Sequence, residues 1–151
     1  MKEKESSDYN EEIVLAQYSY KALHKLIKSG MWKMYCNEKF EITSVEWSDA
    51  FRALLGFSSR EDFPDTNEAF FTRVHKDDKK KLMEEYKKAL SDTTGKIVYD
   101  TEFRAKTKNG TYRWFRTTGR ITGTVERTFH GMIIDIDEKK EQMRSLYGET
   151  R

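Results

Sequence analysis

The sequence predicts an α+β fold: a five-stranded antiparallel sheet with helices on one face and further helices flanking it at both ends. Three observations lead there. From Ile97 to Ile136 the chain runs IVYDTEFRAKT, TYRWFRTTGRI and VERTFHGMIIDI, joined by Lys108-Asn109-Gly110 and by the region around Gly123, a spacing that makes an antiparallel meander. Two earlier period-two runs, MWKMYC (31–36) and EITSVEW (41–47), enclose the turn residues Asn37-Glu38-Lys39. Between these strand groups lie only helical signals, and such a sheet needs helices on one face to bury it.

The elements follow in order. Asp8 with Glu11 reads as a capping box, and Gly30 stands where that helix would end at its C′ position. Within it Ile13, Ala16, Tyr20, Leu23 and Ile27 form a heptad-like stripe, widened by Val14, Leu15 and Leu26. The stripe suits either packing on the same domain or a homodimer interface, and two to three heptads do not decide. After the first two strands, Ser48 caps a short helix with Phe51, Leu54 and Leu55 on its apolar side and Gly56 at its end. Ser58 with Glu61, and Asp65 with Glu68, are further capping-box spacings that imply helical turns up to about Arg73. A longer helix from about Lys76 to Ser91 buries Leu82, Met83, Tyr86, Ala89 and Leu90, with Asp77 and Asp78 in its first turn. Asp135 with Glu138 caps a last helix bearing Met143, Leu146 and Tyr147, which stops near Gly148. The expected organisation is a helical extension over 1–29, one domain over 30–136, and a coupling helix over 137–151.

Composition narrows the function. The 151 residues suit one domain, and a hydrophobic fraction of 36% beside a charged fraction of 36% suits a folded, highly charged chain. A net charge of +2 gives no general reason to bind a polyanion. The single cysteine, Cys36, allows no disulfide framework and fits a reducing compartment. The polar start MKEKESSDYNEE is not a secretory signal, and no apolar run nears the roughly 20 residues of a membrane span. A cytoplasmic location without direct membrane contact is expected, including as the cytosolic part of a larger receptor. Zinc-ligand spacing, a Walker loop, a dinucleotide glycine fingerprint and a nucleophile elbow are all missing from the sequence. The carboxylate pairs Asp77/Asp78 and Glu84/Glu85 fall on helix surfaces, so neither an enzyme nor a metal site is expected.

The hairpin TKNGTYRWFRTTGR (107–120) admits two registers. A three-residue loop with Gly110 left-handed pairs Ala105 with Phe115 and Phe103 with Thr117. A two-residue turn shifts the pairing by one and puts Trp114 opposite Ala105. The first is favoured because it sends Glu102, Arg104, Lys106 and Arg116 outward together. It turns Tyr99, Thr101, Phe103, Ala105, Phe115 and Thr117 inward, joined by Phe129, Ile133 and Trp47. This set reads either as a filled core or as a small-molecule cavity with a few hydroxyls. Trp114 and Tyr112 among Arg113, Arg116, Lys106 and Lys108 have the composition of a stacking surface for nucleic acid, but the acidic residues nearly balance the basic ones and no such partner is expected.

Four motifs carry a family resemblance over about Gly30 to Lys140: WSDAFRALLGF (47–57), RVHKDD (73–78), YDTEFRAKTKNGTYRWFRTTGR (99–120) and GMIIDIDEKK (131–140). In this order and spacing they resemble a PAS domain of the subgroup with a PAC motif, as in bacterial chemotaxis receptors, histidine kinases and cyclic-dinucleotide enzymes. Two positions depart from the pattern: Lys76 stands for a proline, and Asp137 for the usual threonine of the exit motif. The resemblance implies a sensory or protein-interaction module that binds a small ligand or partner and serves a fused or associated output domain. Asp135, Ile136 and Asp137, where the last strand becomes the final helix, are the expected coupling residues. A covalent flavin of this fold would need a cysteine in NEAFFTRVH (67–75), and a thioether-linked haem would need C-x-x-C-H; the sequence has neither. Non-covalent haem or flavin is left open, with His24, His75 and His130 as the only histidines.

Overall fold

The computed structural model describes residues 27–148 apart from Thr124, together with Glu11. The expected N-terminal helix, with Ile13, Ala16, Tyr20, Leu23 and His24, lies outside the described residues; of its stripe only Ile27 is described, and it is exposed.

Five strands form one antiparallel sheet: β1 (Ser29–Cys36), β2 (Ile42–Trp47), β3 (Tyr99–Lys106), β4 (Tyr112–Thr122) and β5 (Arg127–Asp135). Their spatial order is β2-β1-β5-β4-β3, so the chain crosses between β2 and β3 through three helices, α1 (Asp49–Leu54), α2 (Asn67–Phe71) and α3 (Lys79–Leu90). A fourth, α4 (Asp137–Tyr147), leaves β5. The outer edge of β3 is covered by residues 73–75: His75 N–H donates to Arg104 O at 2.9 Å and Lys106 N–H to Arg73 O at 2.8 Å. That pairing closes the strand edge at Arg104–Lys106.

The alternation read from the sequence places the core. Tyr99, Thr101, Phe103 and Ala105 of β3, Phe115 and Thr117 of β4, and Phe129 and Ile133 of β5 are all buried. Trp32, Met34 and Cys36 continue this face on β1, and Phe51, Leu55, Phe63, Phe70, Leu82 and Tyr86 meet it from the helical side. The hairpin register differs from the expected one by two residues: Phe103 pairs with Phe115, Thr101 with Thr117 and Ala105 with Arg113. The loop spans five residues, because Thr107 closes it at both its N–H and its hydroxyl, each donating to Thr111 O (2.9 and 3.0 Å). Gly110 takes the left-handed conformation, φ 90°. A shift of two keeps every side chain on its own face.

Gly30 is corrected more fundamentally. It is the second residue of β1 rather than a helix cap, and the left-handed residue before the strand is Lys28, φ 51°. A Cβ at Gly30 would lie 2.5 Å from the backbone of Phe51, so glycine lets α1 pack directly on β1. A second close approach joins Gly119 and Gly131, partners across β4 and β5. A Cβ on either would meet the Trp32 indole at 2.6 Å.

Three carboxylates expected at helix starts, Asp65 and Asp135 as caps and Asp78 in a first turn, have other work. Ser48 does cap α1, accepting from Phe51 N–H at 3.1 Å. For α2, however, the cap is Thr66, while Asp65 accepts from Trp47 N–H at 2.9 Å and from the buried Arg52 guanidinium at 2.6 Å. Ser59, rather than Ser58, accepts from Asp62 N–H at 3.2 Å. α3 starts at Lys79, three residues later than expected, and the Asp78 carboxylate takes Arg104 instead of a cap bond. Asp135 accepts from Asp137 N–H at 2.9 Å, but Glu138 reaches Lys28 and so completes no capping box.

Candidate functional site

Two places stand out: the aromatic interior between sheet and helices, and the junction where α4 leaves the sheet. The interior encloses a cavity of about 20 Å³, bounded by Trp32, Met34, Trp47, Phe51, Phe70, Phe71, Tyr86, Tyr99, Thr117 and Ile133. Of the nine inward residues expected around a ligand, Trp47, Tyr99, Thr117 and Ile133 line it. Thr101, Phe103, Ala105, Phe115 and Phe129 are buried but do not. Trp32 and Met34 belong to the period-two run of β1, and Tyr86 to the apolar side of α3; that pattern was the signal for them. Phe70 and Phe71 come from α2 and had no such signal.

The wall is ring against ring. Trp47 stacks on Phe51 with centroids 4.6 Å apart, and Trp32 meets Phe129 edge to face at 4.8 Å. Trp32 Nε1–H donates to Thr117 Oγ1 at 2.9 Å, and that hydroxyl donates to Met132 O at 3.1 Å. The Tyr86 hydroxyl points at Met34 Sδ, 3.3 Å away. Burial pushes the Tyr86 phenol up to about 12 and raises Tyr99 as well. Both are neutral side chains at any ordinary pH.

Neither described histidine faces this space. His75 accepts the Asp77 N–H on Nδ1 and lies edge-on to Tyr112, and His130 is exposed on the outer sheet face. Among the described residues there is no cluster of three or more metal-ligating side chains. A pocket for a drug-sized molecule runs to about 300 Å³ or more, so a haem or flavin would require the wall to open.

The junction is polar. Arg113 Nε donates to Asp135 Oδ2 at 3.0 Å, and the Asp135 side chain is only 7% exposed. The bond that Arg113 donates to Asp135 raises the arginine's pKa further, fixing its charge. Asp137 accepts the Trp114 N–H at 3.0 Å, so the charged replacement for threonine still receives a backbone donor of β4; its other oxygen lies 3.8 Å from Arg113. Ile136 N–H donates to Trp114 O at 3.0 Å. The incoming chain meets the same place: Asp135 N–H donates to Lys28 O at 2.9 Å, and Lys28 Nζ donates to Glu138 at 2.7 Å. That Lys28 bond lowers the Glu138 carboxyl below its usual range.

On the outer face, Arg104 and Lys140 both lie over the Trp114 ring, 5.0 and 4.6 Å from its centre. The cations around it are engaged: Arg104 with Asp78, Arg116 with Asp100, Lys108 with Asp62 and Lys140 with Glu102. Burial opposes ionisation of Asp78, but its bonds from Arg104 outweigh that and lower its carboxyl below the ordinary range. A hairpin most of whose cations are paired, and whose tryptophan already has Arg104 and Lys140 against its ring, offers little to a phosphate backbone.

A profile described as the PAS fold matches residues 44–133, more than half of the 151. The chain belongs to the PAS-fold family. Comparison with curated protein sequences finds no match. Among solved structures, this PAS domain is similar to the sensory box histidine kinase/response regulator of Burkholderia thailandensis, with 21% identity, a TM-score of 0.63, and 85% of this chain and 92% of that one covered. It is similar to an RNA-binding light-oxygen-voltage receptor at 19% identity and TM-score 0.60, over 80% of this chain but 31% of that one. It also resembles the N-terminal domain of a diguanylate cyclase with PAS/PAC sensor from Marinobacter aquaeolei, at 19% identity and TM-score 0.50, over 73% of this chain and 98% of that one. At these identities the structures share the fold. PAS domains are in general regulatory sensor modules, and this one is similar to those of signal-transduction proteins. No helix among the described residues is long and apolar enough to cross a membrane.

Proposed function

We propose that this PAS domain is a non-catalytic sensory module: a small molecule or a partner acts on the aromatic interior, and the change passes to an output domain through α4. The observation that carries the reading is the junction. One backbone unit, Trp114 of β4, gives its N–H to Asp137 and its C=O to Ile136, so the first turn of α4 is fastened to the sheet that walls the cavity. Asp135 fastens the same turn to Arg113 and to the incoming chain at Lys28. No residue of α4 is buried, and its other contacts are surface ones, Lys140 with Glu102 and Trp114 and Glu138 with Lys28, so a shift in the sheet can redistribute it between positions. Dimerisation through Ile13, Ala16, Tyr20, Leu23 and Ile27 would bring two such outputs together, in a cytoplasmic setting.

The experiment is Asp135→Ala followed by hydrogen exchange. Exchange over 138–147 should rise while the core strands keep their protection; an unchanged rate over 138–147 overturns the relay. A second reading has the small size of the cavity in its favour: with about 20 Å³ free, the interior also suits a filled core in a protein–protein module.

A further inference from the structure

Arg127, the first residue of β5, is only 5% exposed, yet among the described residues no carboxylate pairs with it. The other buried arginine, Arg52, has Asp65 at 2.6 Å. Asp92 gives Arg127 only its main-chain oxygen, which accepts from Nη2. The Asp92 carboxylate is spent locally, accepting from the Thr94 N–H and hydroxyl and from the Ile97 N–H. Nε and Nη1 of Arg127 donate to no described group, and the buried side-chain atoms left unpaired lie elsewhere, at Asn67 and Thr101, so these nitrogens reach open space. A guanidinium withdrawn from water without a counter-charge is costly, and the fold keeps one here.

The space it reaches is built. Arg127 and Glu38 both line two adjoining open clefts, of about 690 and 520 Å³, at the end of the sheet away from α4. Phe40 sets its ring against the guanidinium, 4.4 Å from centre to carbon, and does so from a left-handed backbone, φ 63°, that is rare for a bulky residue. Glu41 and Glu126 line the larger cleft with Glu38, and none of the three forms an ion pair among the described residues; Lys39 is the one further cation there. A plain anion would be drawn to Arg127 but repelled by the glutamates, and a plain cation the reverse.

We propose that these clefts bind a small zwitterion, a free α-amino acid with an apolar side chain. Its carboxylate accepts from the Arg127 guanidinium, its ammonium donates to the glutamates, of which Glu38 is shared by both clefts, and its side chain lies against Phe40 and the exposed Val125. This site is separate from the aromatic interior and does not depend on a ligand there.

The test titrates the full chain with leucine, with isocaproate (leucine without its ammonium), with isoamylamine (leucine without its carboxylate) and with inorganic phosphate, following the amide resonances of 36–41 and 125–127. Leucine should shift them and bind at least about ten-fold more tightly than either analogue, since each lacks one charge-assisted pairing, and phosphate should not bind. Arg127→Lys, which keeps the charge and loses the planar fork, should weaken leucine about ten-fold. Phe40→Gly, which suits the left-handed backbone and serves if the arginine variant fails to fold, should weaken it several-fold. Glu38→Gln should weaken leucine while isocaproate gains. Isocaproate, isoamylamine or phosphate binding as tightly as leucine overturns the zwitterion. Leucine affinity unchanged in both Arg127→Lys and Phe40→Gly overturns the site, and so does a failure of leucine to bind.

Discussion

Phe115 of β4 has Phe103 opposite it on one side and Asp135 on the other. Towards Phe103 the inner face is aromatic and fully buried, with the two rings stacked at 6.1 Å. Two residues further along β4, at Arg113, the same face becomes an ion pair with Asp135. Phe103 and Phe115 are held by many weak contacts that fail together; Arg113 and Asp135 are held by a few directed bonds that can be changed singly. Stability resides in the first region, while the second ties α4 to the sheet with little buried area. A sensor gains from that division, because the output can move without unfolding the input.

Substitutions can break or sharpen the contrast. The largest effect should come from Phe103→Ala, a loss of about 3–5 kcal/mol in urea unfolding, as for large-to-small changes in a closed core. A loss below about 1 kcal/mol would mean the interior is not packed as described. Next comes alkaline pH. Tyr86 and Tyr99 both have raised pKa values, so the fold favours their neutral forms. Their contribution is complete below the unfolded value of about 10 and is lost as pH climbs towards 12. Absorbance at ~295 nm should show these two ionising only as near-ultraviolet circular dichroism disappears; ionisation of all eight tyrosines near pH ~10 in the folded chain would contradict that. Asp137→Ala should cost less, about 1 kcal/mol, since it removes the acceptor for Trp114 N–H at a partly exposed site. Its effect should appear as local exchange at 114 and 138–141, and a change spread across β3 would merge the two regions. The smallest is Lys28→Met, because Glu138 is 74% exposed: stability should stay close to that of the parent, and any difference should vanish at high salt.

Much of this architecture was legible in the sequence, and the failures share a cause. Period-two alternation found the inward side chains even though the hairpin register was off by two, because burial depends only on parity. Asp65 and Asp135 carry capping spacings and Asp78 a first-turn position, but each serves an arginine, at Arg52, Arg104 and Arg113. Spacing rules see the local N–H groups and not a guanidinium brought in by the fold, which makes the stronger bond. Gly30 failed similarly: its requirement comes from Phe51, across the sheet–helix contact.

The bare main chain at Gly119 and Gly131 has a practical consequence. With no side chain between, the Trp32 indole lies directly against the peptide groups of β4 and β5. Its ring current therefore falls on those two amides, and any displacement of the indole by an occupant of the cavity shifts their resonances. The chain has eight glycines, so labelling glycine nitrogen alone gives a spectrum of at most eight peaks. Two of them watch the cavity wall, and Gly148, at the far end of α4, watches the output in the same spectrum.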